Sequence, residues 1–190
     1  MYDTDKNTPA SELTNRIETF QGRLREEGVG GALILQNADS FYFAGTIQKG
    51  QLYIPAEGRP LLMIRKSLER ARAESALERI VPMKSPRQLP DLLADNDLPV
   101  PKTLGMELDV LPAGLYLSFG KILKGTRIVD VSHEIRRIRA VKSAYEIDRI
   151  RTSARFSDRL IEAAAGMIRE GMTELELAGL VEAEARKMGH

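Results

Sequence analysis

The stretch "IRRIRAVKSAYEIDRIRTSA", residues 135–154, decides how the chain is read. It opens on a basic run (Arg136, Arg137, Arg139, Lys142), passes through Lys-Ser, and continues as Glu-Ile-x-x-Ile. The run resembles a phosphate-binding patch, and Lys-Ser-x-x-Glu resembles a catalytic pair. A plainer reading accounts for the second. Ser143 and Glu146 stand in the S-x-x-E spacing of a capping box, in which the Ser hydroxyl accepts a free N–H and the Glu reaches back to the cap. Such a cap stabilises a helix start by about 1 kcal/mol and needs no chemistry.

Outward from this point the chain has two textures. Downstream it reads as helix only. Ser132 is placed to cap a short helix through Arg139, and the helix opened by Ser143 carries Ile147, Ile150, Ala154, Ile161, Ala164 and Ile168 on one stripe. Gly171 is expected to close it as a left-handed C-cap. Thr173 and Glu176 form a second capping box, opening a last helix along Leu177, Leu180, Val181, Ala185 and Met188.

Upstream, short apolar runs alternate with amphipathic segments, which is an α/β pattern. "GALILQ" (31–36), "LERIVPM" (77–83), "KTLGMEL" (102–108) and "TRIVDV" (126–131) read as strands, and "QLYIPAEGRPLLMIR" (51–65) as a hairpin turning at Gly58. The first helix is expected over Ser11 to Glu27, with Leu13, Ile17, Phe20 and Leu24 on one face. Others are expected over Ser67 to Leu77, from a capping box at Ser85 and Gln88, and from Pro112 to Gly125. The boundary falls between Val131 and Ser132, giving an α/β domain over 1–131 and helices over 132–190.

Composition excludes several function classes. The chain has 190 residues, 43% of them hydrophobic, enough to bury a sizeable core. Its 28 Lys and Arg face 27 Asp and Glu, and the balance holds on either side of Val131. Non-specific nucleic-acid binding needs an excess of positive charge, so no nucleic-acid partner is expected. Cysteine is absent, which fits a reducing, cytoplasmic setting. The first residues, "MYDTDKNTPA", do not read as a signal or transit peptide, and no apolar run approaches a membrane span.

Candidate chemistry is sparse. His133 and His190 belong to no metal-spaced cluster, and no H-E-x-x-H, Walker A or G-x-S-x-G pattern occurs. "GVGG" (28–31) follows a helix and precedes a strand, the reverse of the order a phosphate-binding turn requires. Phe41, Tyr42 and Phe43 read as a packing cluster rather than a ligand platform. Arg151, Arg155 and Arg159 recur at i+4 on one helix face, a stripe suited to carboxylates of a neighbouring domain or subunit.

Taken together, these residues resemble a known family. The pattern L-R-x-I-K-S-x-x-E-I-x-x-I-R-x-A followed by G-x-T-E-x-E-L-A links the two domains of Xaa-Pro aminopeptidases and prolidases. Here it stands as "IRRIRAVKSAYEIDRIRTSA" and "GMTELELAGLVEAEARKMG". The opening helix, "GALILQNADSFYFAGT", the hairpin and "VDVSHEIRRIR" follow in the family's order.

The resemblance implies a creatinase-type N-terminal domain with a mixed sheet of ribonuclease H-like architecture, preceding a "pita-bread" metallopeptidase domain. In the active peptidases that second domain binds two divalent ions (Mn, Co or Zn) through two Asp, one His and two Glu, all downstream of the helices present here. The chain is therefore expected to be one part of a longer protein and inactive alone. Its implied partners are its own catalytic domain, a second subunit and, for the parent, a proline-containing peptide. The loop around Asn37, Asp39 and Tyr42 matches the position from which the family's N-terminal domain helps to close an active site. A creatinase-like amidinohydrolase and a non-catalytic peptide-binding member share these motifs and stay open as alternatives. The apolar stripes of the last two helices would lack their covering sheet, so self-association is expected through residues 144–188.

Overall fold

The computed structural model describes residues 7–189, so the expectation for His190 lies outside the described residues. The chain divides into two compact units, the first running to Val141 and the second beginning at Lys142.

The first unit is built on six strands: β1 (Gly31–Ile34), β2 (Gly50–Pro55), β3 (Leu61–Ile64), β4 (Ile80–Pro82), β5 (Thr103–Met106) and β6 (Arg127–Asp130). Their order across the sheet is β4-β3-β2-β1-β5-β6. β1, β2 and β3 form an antiparallel meander, while β5 lies parallel to β1, β6 parallel to β5, and β4 parallel to β3. Every residue of β1 is buried. A strand covered on both faces has no solvent side, which is why it reads as an apolar run without alternation.

Alternation along the strands sorts side chains into two cores. Ala32, Ile34, Leu52, Ile54, Leu62 and Ile64 face one layer, and Leu33, Tyr53, Leu61, Met63, Leu104 and Met106 face the other. The first face is covered by α1 (Ala10–Glu26), α2 (Asn37–Ala44), α3 (Leu68–Glu74) and α6 (Ser132–Ala140). α4 (Leu89–Ala94) and α5 (Ala113–Ile122) cover the second. The stripe expected on α1 is the buried one: Leu13, Ile17, Phe20 and Leu24 are all at most 5% exposed. The hairpin turns at Gly58, whose φ of +94° is cheap only for glycine.

Four local expectations are corrected. The helix capped by Ser85 begins as a 3-10 turn (Pro86–Gln88) with the capping box in place, and α4 follows it. Ser132 is the first residue of α6 rather than its cap. The Asp130 carboxylate accepts both its N–H and its hydroxyl, doing the capping from outside the helix. The segment 37–44, expected as a loop, is a helix. Gln36 caps it by accepting the Asp39 N–H at 2.8 Å, and Gly45 ends it in the left-handed region (φ +70°). Finally, α6 belongs with the first unit, since Ile135 is 1% exposed in its core, whereas sequence texture placed that helix beyond the boundary.

The second unit is a helix pair, α7 (Ala144–Met167) and α8 (Glu174–Lys187), each opened by its expected capping box at Ser143 with Glu146 and Thr173 with Glu176. α7 ends in extended backbone at Ile168, so Gly171, though at positive φ, lies in the connecting turn rather than at the helix end. The apolar stripes stay open: Ile147, Ile150, Ile161, Ile168 and Leu180 are exposed within this unit.

Phe20 is fully buried and stacks on Phe43 at 5.1 Å, while Phe41 is 45% exposed. Phe20→Ala should therefore cost about 3–5 kcal/mol of unfolding free energy, and Phe41→Ala about 0.5 kcal/mol or less. Urea denaturation followed by circular dichroism measures both; equal losses would contradict this packing.

Candidate functional site

The parallel pairing of β1 and β5 sets Leu33 opposite Met106, so the chain leaves both strands at the same edge. In open α/β sheets this outlet of adjacent parallel strands is where ligand-binding and positioning groups collect. Here Glu107, just past β5, reaches across to the exit of β1. Its Oε2 accepts the Leu35 N–H at 2.7 Å and the Gln36 N–H at 3.1 Å. Those two bonds hold the turn from which Gln36 caps α2. A cleft of about 110 Å³ opens beside them, walled by Leu35, Val110, Leu111, Pro112 and Leu115.

α2 is pinned from its inner face. The Asp39 carboxylate is ion-paired with Arg139 from α6. One turn on, Tyr42 is buried under the Arg16 guanidinium, 4.2 Å from the ring centre, with Arg139 at 5.8 Å. Arg16 also donates to the Tyr42 carbonyl at 2.8 Å and to Glu12 at 2.8 Å. Guanidinium groups stacked on a desolvated ring add cation–π attraction to their hydrogen bonds. Segment 107–109 is fastened on its other side: Leu108 donates to Asp130 at 3.1 Å, and Arg136 pairs with Asp109.

The carboxyls respond differently to these surroundings. Burial pushes Glu107 up to about 8, and the neighbouring Asp39 carboxyl adds to this against the two backbone N–H groups. Burial would raise Asp130 too, but hydrogen bonds from Ser132 and Leu108 hold it below its ordinary value.

Of the candidates named from sequence, Asn37 lies exposed in the first turn of α2, whereas Asp39 and Tyr42 point inward and are buried. The three sit on one short helix, with the latter two fixing the former. Arg151, Arg155 and Arg159 line the exposed surface of α7 in the second unit. Sequence reasoning missed Glu107, Gln36, Arg16 and Arg139 as members of one network. The one legible signal was Glu107, an acid at the end of an otherwise apolar strand pattern. The basic run is also explained: Arg136 pairs with Asp109, Arg137 with Glu134 and Arg139 with Asp39. These arginines are neutralised by the protein's own acids.

Among the described residues no group of three or more His, Cys, Asp or Glu converges as metal ligands do. These residues do not fit a divalent metal pair. No helix among them is long and apolar enough to cross a membrane.

The fold and its order of elements match a known domain. Residues 16–141 fit the family model described as the creatinase/prolidase N-terminal domain. The chain belongs to this family. Its mixed sheet and helices are the α/β architecture expected for that domain. A curated relative, the Xaa-Pro dipeptidase of Pyrococcus furiosus, is 26% identical over 172 residues, covering 90% of this chain and 47% of the relative. The prolidase structure from Pyrococcus horikoshii matches with a TM-score of 0.81 and 25% identity, over 92% of this chain and 49% of that one. The X-Pro aminopeptidase structure from Thermotoga maritima matches with a TM-score of 0.78 and 26% identity, over 91% and 49%. The chain thus spans about half the length of these relatives.

In this family member the Asp39–Arg139 pair ties α2 to α6 from a largely buried position, the side chains being 13% and 41% exposed. Arg139→Ala should cost about 1–3 kcal/mol, since it removes the ion-pair partner of the buried Asp39 carboxylate, and Asp39→Ala less, since Arg139 keeps 41% of its side chain in solvent. Their double-mutant cycle should show coupling of at least about 0.5 kcal/mol. Arg136→Ala, at a more exposed pair, should cost about 1 kcal/mol or less. Additive losses at 39 and 139 in urea melts would contradict the pairing.

Proposed function

We propose that the chain is the N-terminal part of an Xaa-Pro peptidase whose complete form hydrolyses the peptide bond preceding proline. One observation carries this reading: the similarity to a dipeptidase, a prolidase and an X-Pro aminopeptidase covers 90–92% of this chain, and so reaches both units, but only 47–49% of each relative. On this reading the ligands for two divalent ions lie outside the present residues, and the role of these residues is support. The ion pair and cation–π contacts of Asp39 and Tyr42 fix α2 on the sheet, so that Asn37 is presented from a rigid turn toward the catalytic part. The Arg stripe of α7 faces acidic groups of a neighbouring domain or subunit, for which guanidinium forks are suited. The whole acts as a homodimer in the cytoplasm.

Reading the gene past His190 is the direct test of the peptidase assignment. Two Asp, one His and two Glu in metallopeptidase order are expected, with metal-dependent turnover of Xaa-Pro dipeptides by the full product. A downstream sequence lacking those ligands, or turnover of creatine instead, would overturn it. In the full product, Asn37→Ala should lower kcat/KM severalfold while leaving Tm within about 1 °C. Sedimentation velocity of residues 1–190 beside a chain ending at Val141 tests the association. The longer chain should form dimers through its exposed helix faces, and monomers of both at high concentration would contradict it.

A further inference from the structure

Glu107 poses a problem that its hydrogen bonds do not solve. The residue is 2% exposed. Its Oε2 is satisfied twice by backbone N–H groups, yet its buried Oε1 has no donor among the described residues. The acidic neighbour of Glu107 is the Asp39 carboxyl. Asp39 is itself engaged by Arg139 and so acts as an acceptor. Two carboxylates face to face in a desolvated position repel, and a buried acceptor without a donor loses the full hydration of its charge. One proton removes both costs, converting repulsion into an O–H···O bond to a charged acceptor, among the stronger hydrogen bonds in proteins.

We propose that Glu107 keeps its proton in the folded domain and donates it from Oε1 to the Asp39 carboxylate, so that Arg139, Asp39 and Glu107 act as one proton-dependent clasp. The clasp joins three elements: the C-terminal half of α6, the first turn of α2 and the exit of β5, the last already tied to α6 by the Arg136–Asp109 pair. The groups around Glu107 permit this. α2 offers Asp39, and α6 offers Arg139, already spent on Asp39, and Arg136, spent on Asp109. The last residue of β6 is Asp130, spent on Ser132 and Leu108. α1 offers Arg16, spent on Glu12 and the Tyr42 carbonyl. The cleft wall beside Glu107 contributes apolar residues of 110–115. Among the described residues no Lys or Arg is ion-paired with Glu107.

The position of the Glu107 pKa near 8 agrees with the clasp and fixes the sign of its pH dependence. The unfolded chain releases this proton near 4.5, the folded chain only near 8. Between those values the native state holds the extra proton, so stability falls as pH rises through the window. Asp130 works in the opposite direction and below this window, since its folded pKa is depressed. Loss of the proton above about 8 would return two facing carboxylates and loosen α2 from α6. This inference does not rest on the peptidase reading.

The test is urea unfolding of the 190-residue chain at several pH values between 5 and 9, for wild type and Glu107→Gln. Gln has nearly the shape of the protonated acid: its oxygen can accept from Leu35 and Gln36, and its amide N–H can donate to Asp39. Relative to Glu107→Gln, the wild-type unfolding constant should rise up to about tenfold per pH unit inside the window, the value for one proton released. Parallel pH curves for the two proteins would overturn the clasp. Should the variant fail to fold, the wild-type protein labelled with ¹³C at Glu carboxyl carbons decides the matter by NMR. One Glu carboxyl inflecting well above pH 6, and moving downward in Asp39→Asn while its burial still holds it above the ordinary range, supports the clasp. All Glu carboxyls titrating in the ordinary range refute it.

Discussion

Two hydrogen bonds from Leu35 and Gln36 to the buried carboxyl of Glu107 hold the arrangement of this domain's functional edge. β1 and β5 are neighbours in space but far apart in sequence, and their pairing ends at Leu33 and Met106. Beyond those residues this pairing no longer supplies partners for the backbone. A buried backbone N–H without an acceptor is costly, so the turn after β1 needs one from another element. Glu107 supplies it, and Gln36 is thereby placed to cap α2. The helix that carries Asn37 thus depends on a residue some seventy positions downstream, which no local propensity could reveal.

This dependence explains what could be read from the sequence and what could not. The strands, the hairpin at Gly58, the stripe of α1 and the capping boxes at Ser143 and Thr173 are set by short-range patterns. Each was legible because its cause lies within a few residues. α2 was not. Its sequence "NADSFYFA" has three aromatic residues and no Ser, Thr, Asn or Asp at the capping position. Its start is set by a Gln side chain and its stability by Phe43 packing on Phe20 and by Arg16 over Tyr42. Gln36 gives no usual N-cap signal. Likewise Ser132 looked like a cap from its neighbours, while Asp130 does the work because its carboxylate can accept from Ser132 and Leu108 together.

The basic run shows the same contrast in charge. Read linearly, Arg136, Arg137, Arg139 and Lys142 form a patch of the kind that binds phosphates. On α6 the three arginines fan out around the helix and find carboxylates: Asp109 after β5, Glu134 one turn back, and Asp39 on α2. Sequence proximity of like charges says little once a helix distributes them over its circumference. What survives of the sequence argument is its near-neutral total, because a chain with 27 acids for 28 bases can pair such a run internally.

The edge that carries α2 is constrained from several elements at once. Stiffness here comes from crossing constraints rather than from a larger core. Asp39 is held by Arg139, Tyr42 by Arg16, and Glu107 by two backbone N–H groups, so α2 is fixed from α6, α1 and β5 at once. Each constraint involves a charged or polar group taken largely out of water, where an incomplete network costs more than an apolar contact of the same size. That asymmetry makes the network selective: conformations that break one member strand another, so the edge has one arrangement instead of several. Asn37, which makes none of these contacts, stands exposed in the first turn of the same helix, so the network fixes the backbone beneath it without occupying its side chain.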